Sequence, residues 1–430
     1  MTGNELPPPL AACLTPAGRG ALAVIAFAGA ARQLDAAGLF RSRRGLDVIA
    51  LPSGEPIYGL WGNAATPIPP EDVVLIRRDA LRLEVHCHGG TAAVERILSD
   101  LAAVGARRLT SAEWIEAMDG RLSAELQSAL AAATTWKTAR LILAQWQAPG
   151  GMADILRRLR DQAGNDADLM ANDASLRTIL GAIDSALSWS RFGLHLAQPW
   201  DVTLSGPPNV GKSSLLNAIV GYSRAIVSPI AGTTRDIVTA DTAIDGWPIR
   251  FSDTAGLRET DDHLERSGVE RARARIASAN LNLRLIDPSV SPGEFAPIGT
   301  DDATGLASTD LVIAHKSDLP KSPGVDVPPG AIPVSSRTGS GLDDLFNAII
   351  ARLIPQVPQA GTAIPVTQSQ IDLLQQLRVD LLARDLPAIR RRLDAWLQPS
   401  WPPVAADETQ SLQPSSKRDD GDQRTNQSNR

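Results

Sequence analysis

The sequence predicts a multidomain α+β and α/β protein: an N-terminal α+β domain, a helical domain, and a doubly wound α/β domain. Length carries part of this, because 430 residues at roughly 150 per domain make about three units. Hydrophobic residues form 43% of the chain, enough for real cores, which excludes a disordered or fibrous protein. The apolar pattern then changes twice along the chain, and each change marks a new unit. A glycine-bearing loop at 206–213 also joins a predicted strand to a predicted helix, as in doubly wound α/β domains.

In chain order, the run ALAVIAF at 21–27 lies among Gly18, Gly20 and Gly29 and reads as a buried strand after a tight turn. LRLEVHCH at 81–88 alternates, Gly89 and Gly90 break it, and 91–104 carries helical spacing. This is the α+β domain, 1–110. From 111 to 198 apolar residues recur at helical spacing without strand signals, so helices packed on one another are expected there and again over 362–397. Between these parts, 199–356 alternates strands, at 201–205, 249–252, 283–286, 311–314 and 332–334, with helices. Residues 398–430 are rich in Pro, Ser, Asp, Gln and Asn and are expected to stay disordered.

Charge and cysteine usage narrow the function class. Lys+Arg 42 against Asp+Glu 48 leave a net charge of −6, so no global basic field marks a nucleic-acid binder. Cys13 and Cys87 cannot supply a disulfide framework, and neither a leader pattern nor a run of eighteen apolar residues occurs. A cytoplasmic protein without a membrane span is expected. His86 and His88 share one face of a strand while Cys87 points to the other, which reads as a structural turn and not as a metal site.

The chemistry lies in the α/β domain. Gly206-Pro207-Pro208-Asn209-Val210-Gly211-Lys212-Ser213 fits G-x-x-x-x-G-K-[ST] between a strand and a helix. Such a P-loop aims backbone N–H groups and a helix N-terminus at phosphate oxygens. Asn209, Val210, Gly211, Lys212, Ser213 and Ser214 are therefore nucleotide-binding candidates, with Lys212 on the β and γ phosphates and the Ser213 hydroxyl on Mg²⁺. Asp253, Thr254, Ala255 and Gly256 follow strand IRFS, placing a carboxylate near the Mg²⁺ and a glycine N–H under the γ-phosphate. Thr234, in the loop before it, adds a second Mg²⁺ hydroxyl.

Base choice rests on two later loops. His315-Lys316-Ser317-Asp318 follows strand LVIA where GTPases carry N-K-x-D, whose carboxylate accepts two hydrogen bonds from a guanine edge. Ser335 and Ser336 follow strand IPV, where backbone donors meet guanine O6. These elements in this order predict a GTPase. His315 stands in place of asparagine; it is larger and carries only two ring nitrogens, so weaker base affinity is expected while Asp318 keeps the guanine preference. Leu257 occupies the position of a water-orienting glutamine and can neither accept a proton nor align water.

PPNVGKSSLLNAIVG, SPIAGTTRDIV and DTAGLRETDDHLERSGVERA closely resemble the G domain of the tRNA modification GTPase family MnmE, also called TrmE. TPAGRGALAVIAFAG and EVHCHGG look like that family's N-terminal folate-binding domain. The resemblance implies a helical domain with the G domain inserted in it. It implies homodimers formed through the N-terminal and G domains, and K⁺ in place of an arginine finger. Asn209 matches the family's K⁺-binding asparagine, and the loop 228–233 its potassium loop, with Ser228, Ile230 and Thr233 as ligand positions. Glu265 matches the catalytic glutamate that acts on water. The implied partners are tRNA and a flavin-dependent protein in wobble-uridine modification.

Departures gather away from the nucleotide. Ala26 stands where the family has an arginine on a one-carbon tetrahydrofolate, Arg78-Asp79-Ala80-Leu81 replaces T-G-E-D, and Arg121 stands at a helix-start lysine. No cysteine follows Cys87, whereas the family ends in Cys-[Ile/Leu]-Gly-Lys. These losses count against folate use, since the missing guanidinium at Ala26 alone removes roughly 1.5–3 kcal/mol of charge-assisted hydrogen bonding. They raise a second reading, a regulatory or ribosome-associated GTPase without folate-dependent modification. His315 raises a third, a nucleotide-free interaction protein.

Overall fold

Alternating residues build the first sheet. Its strands are β1 (Leu10–Cys13), β2 (Leu22–Ala28), β3 (Phe40–Ser42), β4 (Pro56–Trp61), β5 (Glu71–Arg77), β6 (Arg82–His88) and β7 (Arg107–Leu109), in the order β3-β4-β5-β6-β2-β1-β7. All neighbours are antiparallel except β1 and β7. Ile25, Phe27, Val85 and Cys87 face one side and pack with Ile97 and Leu101 of α2 (Thr91–Ala103), while α1 (Ala31–Ala36) supplies Leu34. On the other side Leu10, Ala12, Ala26 and Ala28 meet Trp114 and Ala117 of α3 (Ser111–Asp119), together with Trp401. Helix α3 starts at a reciprocal cap in which Thr110 and Glu113 satisfy each other's backbone N–H.

This computed structural model describes residues 7–18, 20–63, 68–164, 173–222, 239–253, 276–290 and 310–401. Contacts divide the chain into one unit of 1–124 with 396–430 and a second of 125–395. The 398–430 tail lies, from 402 onward, outside the described residues.

Helices follow: α4 (Arg121–Ala132), α5 (Trp136–Gln147), α6 (Met152–Gly164), α7 (Asp173–Ser188) and α8 (Ser190–Ala197). Gln145 stitches α5 to the segment after the α/β part. Its Oε1 accepts from the N–H of Met152 at 3.2 Å and of Ile364 at 2.8 Å, and its Nε2 donates to the Thr362 carbonyl at 3.2 Å. With 2% of its surface exposed, it is a fully satisfied core amide.

The second sheet contains β8 (Trp200–Ser205), β9 (Thr239–Ile244), β10 (Trp247–Asp253), β11 (Leu281–Ile286), β12 (Asp310–His315) and β13 (Ile332–Val334), in the order β13-β12-β11-β8-β10-β9. All pairs are parallel except β9 with β10. Helix α9 (Lys212–Tyr222) follows β8 and α10 (Leu342–Leu353) follows β13; α11 (Gln368–Leu382) and α12 (Leu386–Leu397) come after the sheet. Strand β8 lies between β10 and β11, so the order reverses at its carboxyl end, where such sheets bind ligands. Among the described residues no helix is long and apolar enough to cross a membrane.

Candidate functional site at the carboxyl edge of the second sheet

The loop after β8 is shaped by backbone that only certain residues adopt. Gly206 has φ 138° and Gly211 φ 101°, and a Cβ at either would lie 2.6 Å from the Leu285 carbonyl oxygen or 2.4 Å from a carbon of the His315 ring. Asn209 takes φ 61°, a left-handed conformation that asparagine tolerates better than most residues. Buried Val210 anchors the loop to the core. Lys212 opens α9 and sends Nζ back to the carbonyls of Gly206 at 3.0 Å and Pro207 at 2.9 Å. Ser213 and Ser214 are exposed in the same first turn. The Ser213 hydroxyl donates to Asp253 Oδ2 at 2.7 Å, so the two oxygens assigned to Mg²⁺ come together from β10 and α9.

His315 ends β12 with 1% of its surface exposed. Its Nδ1 lies 2.7 Å from the Val210 carbonyl and its Nε2 3.1 Å from the Ser336 hydroxyl. Burial pulls its pKa below the ordinary value, against the hydrogen bond to Val210, which raises it. A neutral ring donating from Nδ1 can accept from Ser336 at Nε2, which satisfies all three groups. The imidazole thus joins the P-loop to the loop after β13.

Lys316 takes φ 57° and donates Nζ to the Asn209 carbonyl at 3.0 Å and to Asp287 Oδ2 at 2.6 Å. Burial pushes the Asp287 carboxyl up, but hydrogen bonds from Lys316 and Ser289 outweigh it and hold the group below the usual carboxylate range. Asp287 escaped the sequence reading. Its signal was position, directly after the strand expected at 283–286 and on the same sheet edge as the other loops. Asp318 accepts from the buried Ser335 hydroxyl at 2.6 Å and from Arg337 Nε at 2.8 Å. The Ser335 bond, with the Arg337 bond and charge, keeps the carboxyl low, so both oxygens stay acceptors, as a guanine edge with two N–H donors requires.

Ser228, Ile230, Thr233, Thr234, Thr254, Ala255, Gly256, Leu257 and Glu265 lie outside the described residues. In the first unit, Ala26 is 2% exposed within the Trp114 and Trp401 cluster. Glu84, its register partner on β6, receives Arg78 through Nε and Nη2, each at 2.7 Å. Asp79 accepts from the Leu81 and Arg82 N–H groups at 2.9 and 2.8 Å, which closes the turn in place of T-G-E-D. Arg121 lies over the Trp396 ring at 4.5 Å, a packing role. His86 contacts Glu84 and His88 contacts Glu71, and no group of three or more metal-ligating side chains occurs among the described residues. Trp114 is buried, whereas Trp136 is 78% exposed.

A glycine-shaped phosphate loop, a serine–aspartate pair beside it and a doubly accepting aspartate on one parallel-sheet edge define a P-loop GTPase, an enzyme that hydrolyses GTP. A family profile described as "50S ribosome-binding GTPase" matches residues 201–312. The chain as a whole belongs to the tRNA modification GTPase MnmE family. It is 34% identical over 348 residues to the MnmE of a Synechococcus strain, covering 74% of this chain and 75% of that protein. The MnmE of Thermus thermophilus is 31% identical over 401 residues, 87% of this chain and 88% of its own. That of Rhodospirillum rubrum is 35% identical over 347 residues, 75% and 73% of the two chains. These matches extend well beyond the G domain and favour the tRNA modification reading over a ribosome-associated one.

The histidine at the asparagine position yields a first test. His315→Ala leaves the Val210 carbonyl and Ser336 hydroxyl without their partner, so affinity for a fluorescent GDP analogue is expected to fall by about 5–150-fold, two hydrogen bonds at roughly 0.5–1.5 kcal/mol each. His315→Asn is expected to recover most of it. The folded-state pKa of His315 is depressed, so below the unfolded value the unfolded chain binds the proton more readily. The stabilisation is complete above about pH 6.5 and is lost as pH falls through the lower folded value. His195 shifts in the same direction through burial. The acid loss of GDP affinity is expected to be smaller in His315→Asn; an unchanged profile argues against the bridge.

Proposed function

We propose that this chain is a cytoplasmic, K⁺-stimulated, dimerisation-activated GTPase acting in tRNA wobble-uridine modification with a flavin-dependent partner. The observation that carries this reading is the convergence of Lys212, Ser213, Asp253, His315, Lys316 and Asp318 on one sheet edge. Lys212 holds the β and γ phosphates, and Asn209, Val210, Gly211, Ser213 and Ser214 cradle them together with Thr254, Ala255 and Gly256. Ser213 and Asp253 fit Mg²⁺, because hydroxyl and carboxylate oxygens are the donors a hard cation takes; Thr234 joins them. When bound, Mg²⁺ supplies charge that offsets the negative oxygens of the phosphates.

Base selection falls to Asp318 and Lys316, with Ser335 and Ser336 beside them. Asn209 contributes to K⁺ binding with Ser228, Ile230 and Thr233, an all-oxygen donor set suited to a hard monovalent ion. Glu265 orients water in place of Leu257. The protein is a homodimer through its N-terminal and G domains, arranged as an N-terminal domain over 1–110, helical parts over 111–198 and 362–397, and the G domain over 199–356. Against one-carbon tetrahydrofolate stand Ala26, sealed in an apolar cluster where the family has an arginine, and the Arg78 guanidinium, held by both Glu84 oxygens.

Purified protein is expected to hydrolyse GTP faster in KCl than in NaCl at equal ionic strength. Glu265→Ala should lose hydrolysis by about 10²–10⁴-fold while keeping its affinity for a GTP analogue. Equal rates in the two salts would remove the K⁺ assignment.

A further inference from the structure

Strands β9 and β10 form a hairpin with a two-residue turn. Ile244 pairs with Trp247 across Asp245 and Gly246, whose φ angles are 48° and 74°. Two positive φ values in an Asp-Gly turn match the twist of the flanking strands and make a stiff connection. At the far end β10 terminates in Asp253, bonded to Ser213 of the phosphate loop. At about 3.3 Å per residue, the seven residues of β10 span the distance from that site to the turn.

The turn is gripped by the helical part. Thr135, the N-cap of α5, donates Oγ1 to the Gly246 carbonyl at 2.8 Å while accepting from the Thr138 N–H. Lys137 Nζ donates to the Asp245 carbonyl and to Asp245 Oδ2, each at 2.9 Å, and lies 4.4 Å from the centre of the Trp247 ring. A Cβ on Gly246 would come within 3.2 Å of the Lys137 stem, so the glycine permits this approach. Phe192 of α8 meets Trp247 edge to face at 5.5 Å. One exposed ion pair would contribute little. Here Thr135, Lys137 and Phe192, from two helices, converge on three consecutive residues.

We propose that the β9–β10 hairpin is the lever that transmits the state of the phosphate site, at Asp253, to helix α5, and that Thr135, Lys137 and Phe192 form the clasp at its tip. Lys137 and Asp245 meet at the opposite end of β10 from Asp253, so they act as positioning residues. The proposal rests on the GTPase reading, and it adds the route by which GTP alters the helical part. A site with two arrangements can bias a distant element through a packed, hydrogen-bonded connection of this kind.

Amide hydrogen exchange over 136–147, measured with a non-hydrolysable GTP analogue and Mg²⁺ against the nucleotide-free protein, tests the lever. Wild type is expected to show about a fivefold or larger change in rate. Lys137→Met and Asp245→Asn, which keep the stem and the turn, should bind the analogue within about twofold of wild type and lose that change. Lys137→Arg should retain it. A change that persists in both Lys137→Met and Asp245→Asn overturns the clasp, as does wild type that binds and hydrolyses GTP with unaltered α5 exchange. Wild type that binds no GTP defeats the GTPase reading itself, and the lever with it.

Discussion

Gly211→Ala is expected to raise the Kd for GDP by at least roughly thirtyfold and to lower the melting temperature. Two separate costs meet at this position. The φ of 101° lies where an L side chain is strained, at roughly 1–3 kcal/mol. The new methyl group would also sit 2.4 Å from a ring carbon of His315 and 2.6 Å from its Nδ1, overpacking worth roughly 1–3 kcal/mol. His315 cannot retreat without leaving the Val210 carbonyl and Ser336. The loop therefore moves, and the N–H groups that would face phosphate move with it. A double substitution separates the terms: adding His315→Ala to Gly211→Ala removes the overlap and leaves the backbone strain. Wild-type affinity in Gly211→Ala, by fluorescent GDP titration, would mean that the loop does not bind phosphate in this shape.

The strands that build this edge were legible because their apolar residues stand close together and four of the five end in a motif. Those expected at 201–205, 249–252, 283–286, 311–314 and 332–334 appear as β8, β10, β11, β12 and β13, displaced by two residues or fewer at each end. Strand β9 was missed: TADTAI carries small and polar residues because it is an edge strand paired only with β10. In the first unit, β2 and β6 were read within a residue, whereas β4 and β5 were not anticipated. PIYGLW hides its alternation because the inward position 59 is a glycine, where a Cβ would lie 2.5 Å from the Phe40 ring. The missing side chain on one strand is supplied by another, and no local pattern records that.

The site divides in the same way. The P-loop and Asp253 were readable because their spacing encodes their chemistry. The work of His315 was not, since its two partners lie 105 residues before and 21 residues after it in sequence. Read alone, a histidine at an asparagine position signals weakened binding. In place, its two nitrogens perform two bonding tasks, and its larger ring fills space that Gly211 leaves open. Lys316 likewise depends on Asp287, 29 residues away, and nothing in the local pattern of either residue names the other.

Lys212→Ala is expected to reduce GTP hydrolysis by about 10²–10³-fold, with a smaller loss of GDP affinity. Lys212 is 7% exposed and its ammonium is held by two carbonyls at 3.0 and 2.9 Å, so its position is set before any phosphate arrives. Charge fixed in this way stabilises the transition state without reorganising during the reaction. Lys212→Arg should not restore the rate, because a planar guanidinium has a different donor geometry and cannot reproduce a compact point charge held between the Gly206 and Pro207 carbonyls. Lys212→Met separates electrostatics from packing, since it keeps an unbranched stem of similar length. Single-turnover hydrolysis in KCl with a parallel melting curve distinguishes the two: a rate lost at a preserved melting temperature assigns the lysine to catalysis. A rate and a melting temperature that fall together would instead make Lys212 a strut of the loop, tying Gly206 and Pro207 to α9, and the positive charge facing the phosphates would then have to come from elsewhere in the site.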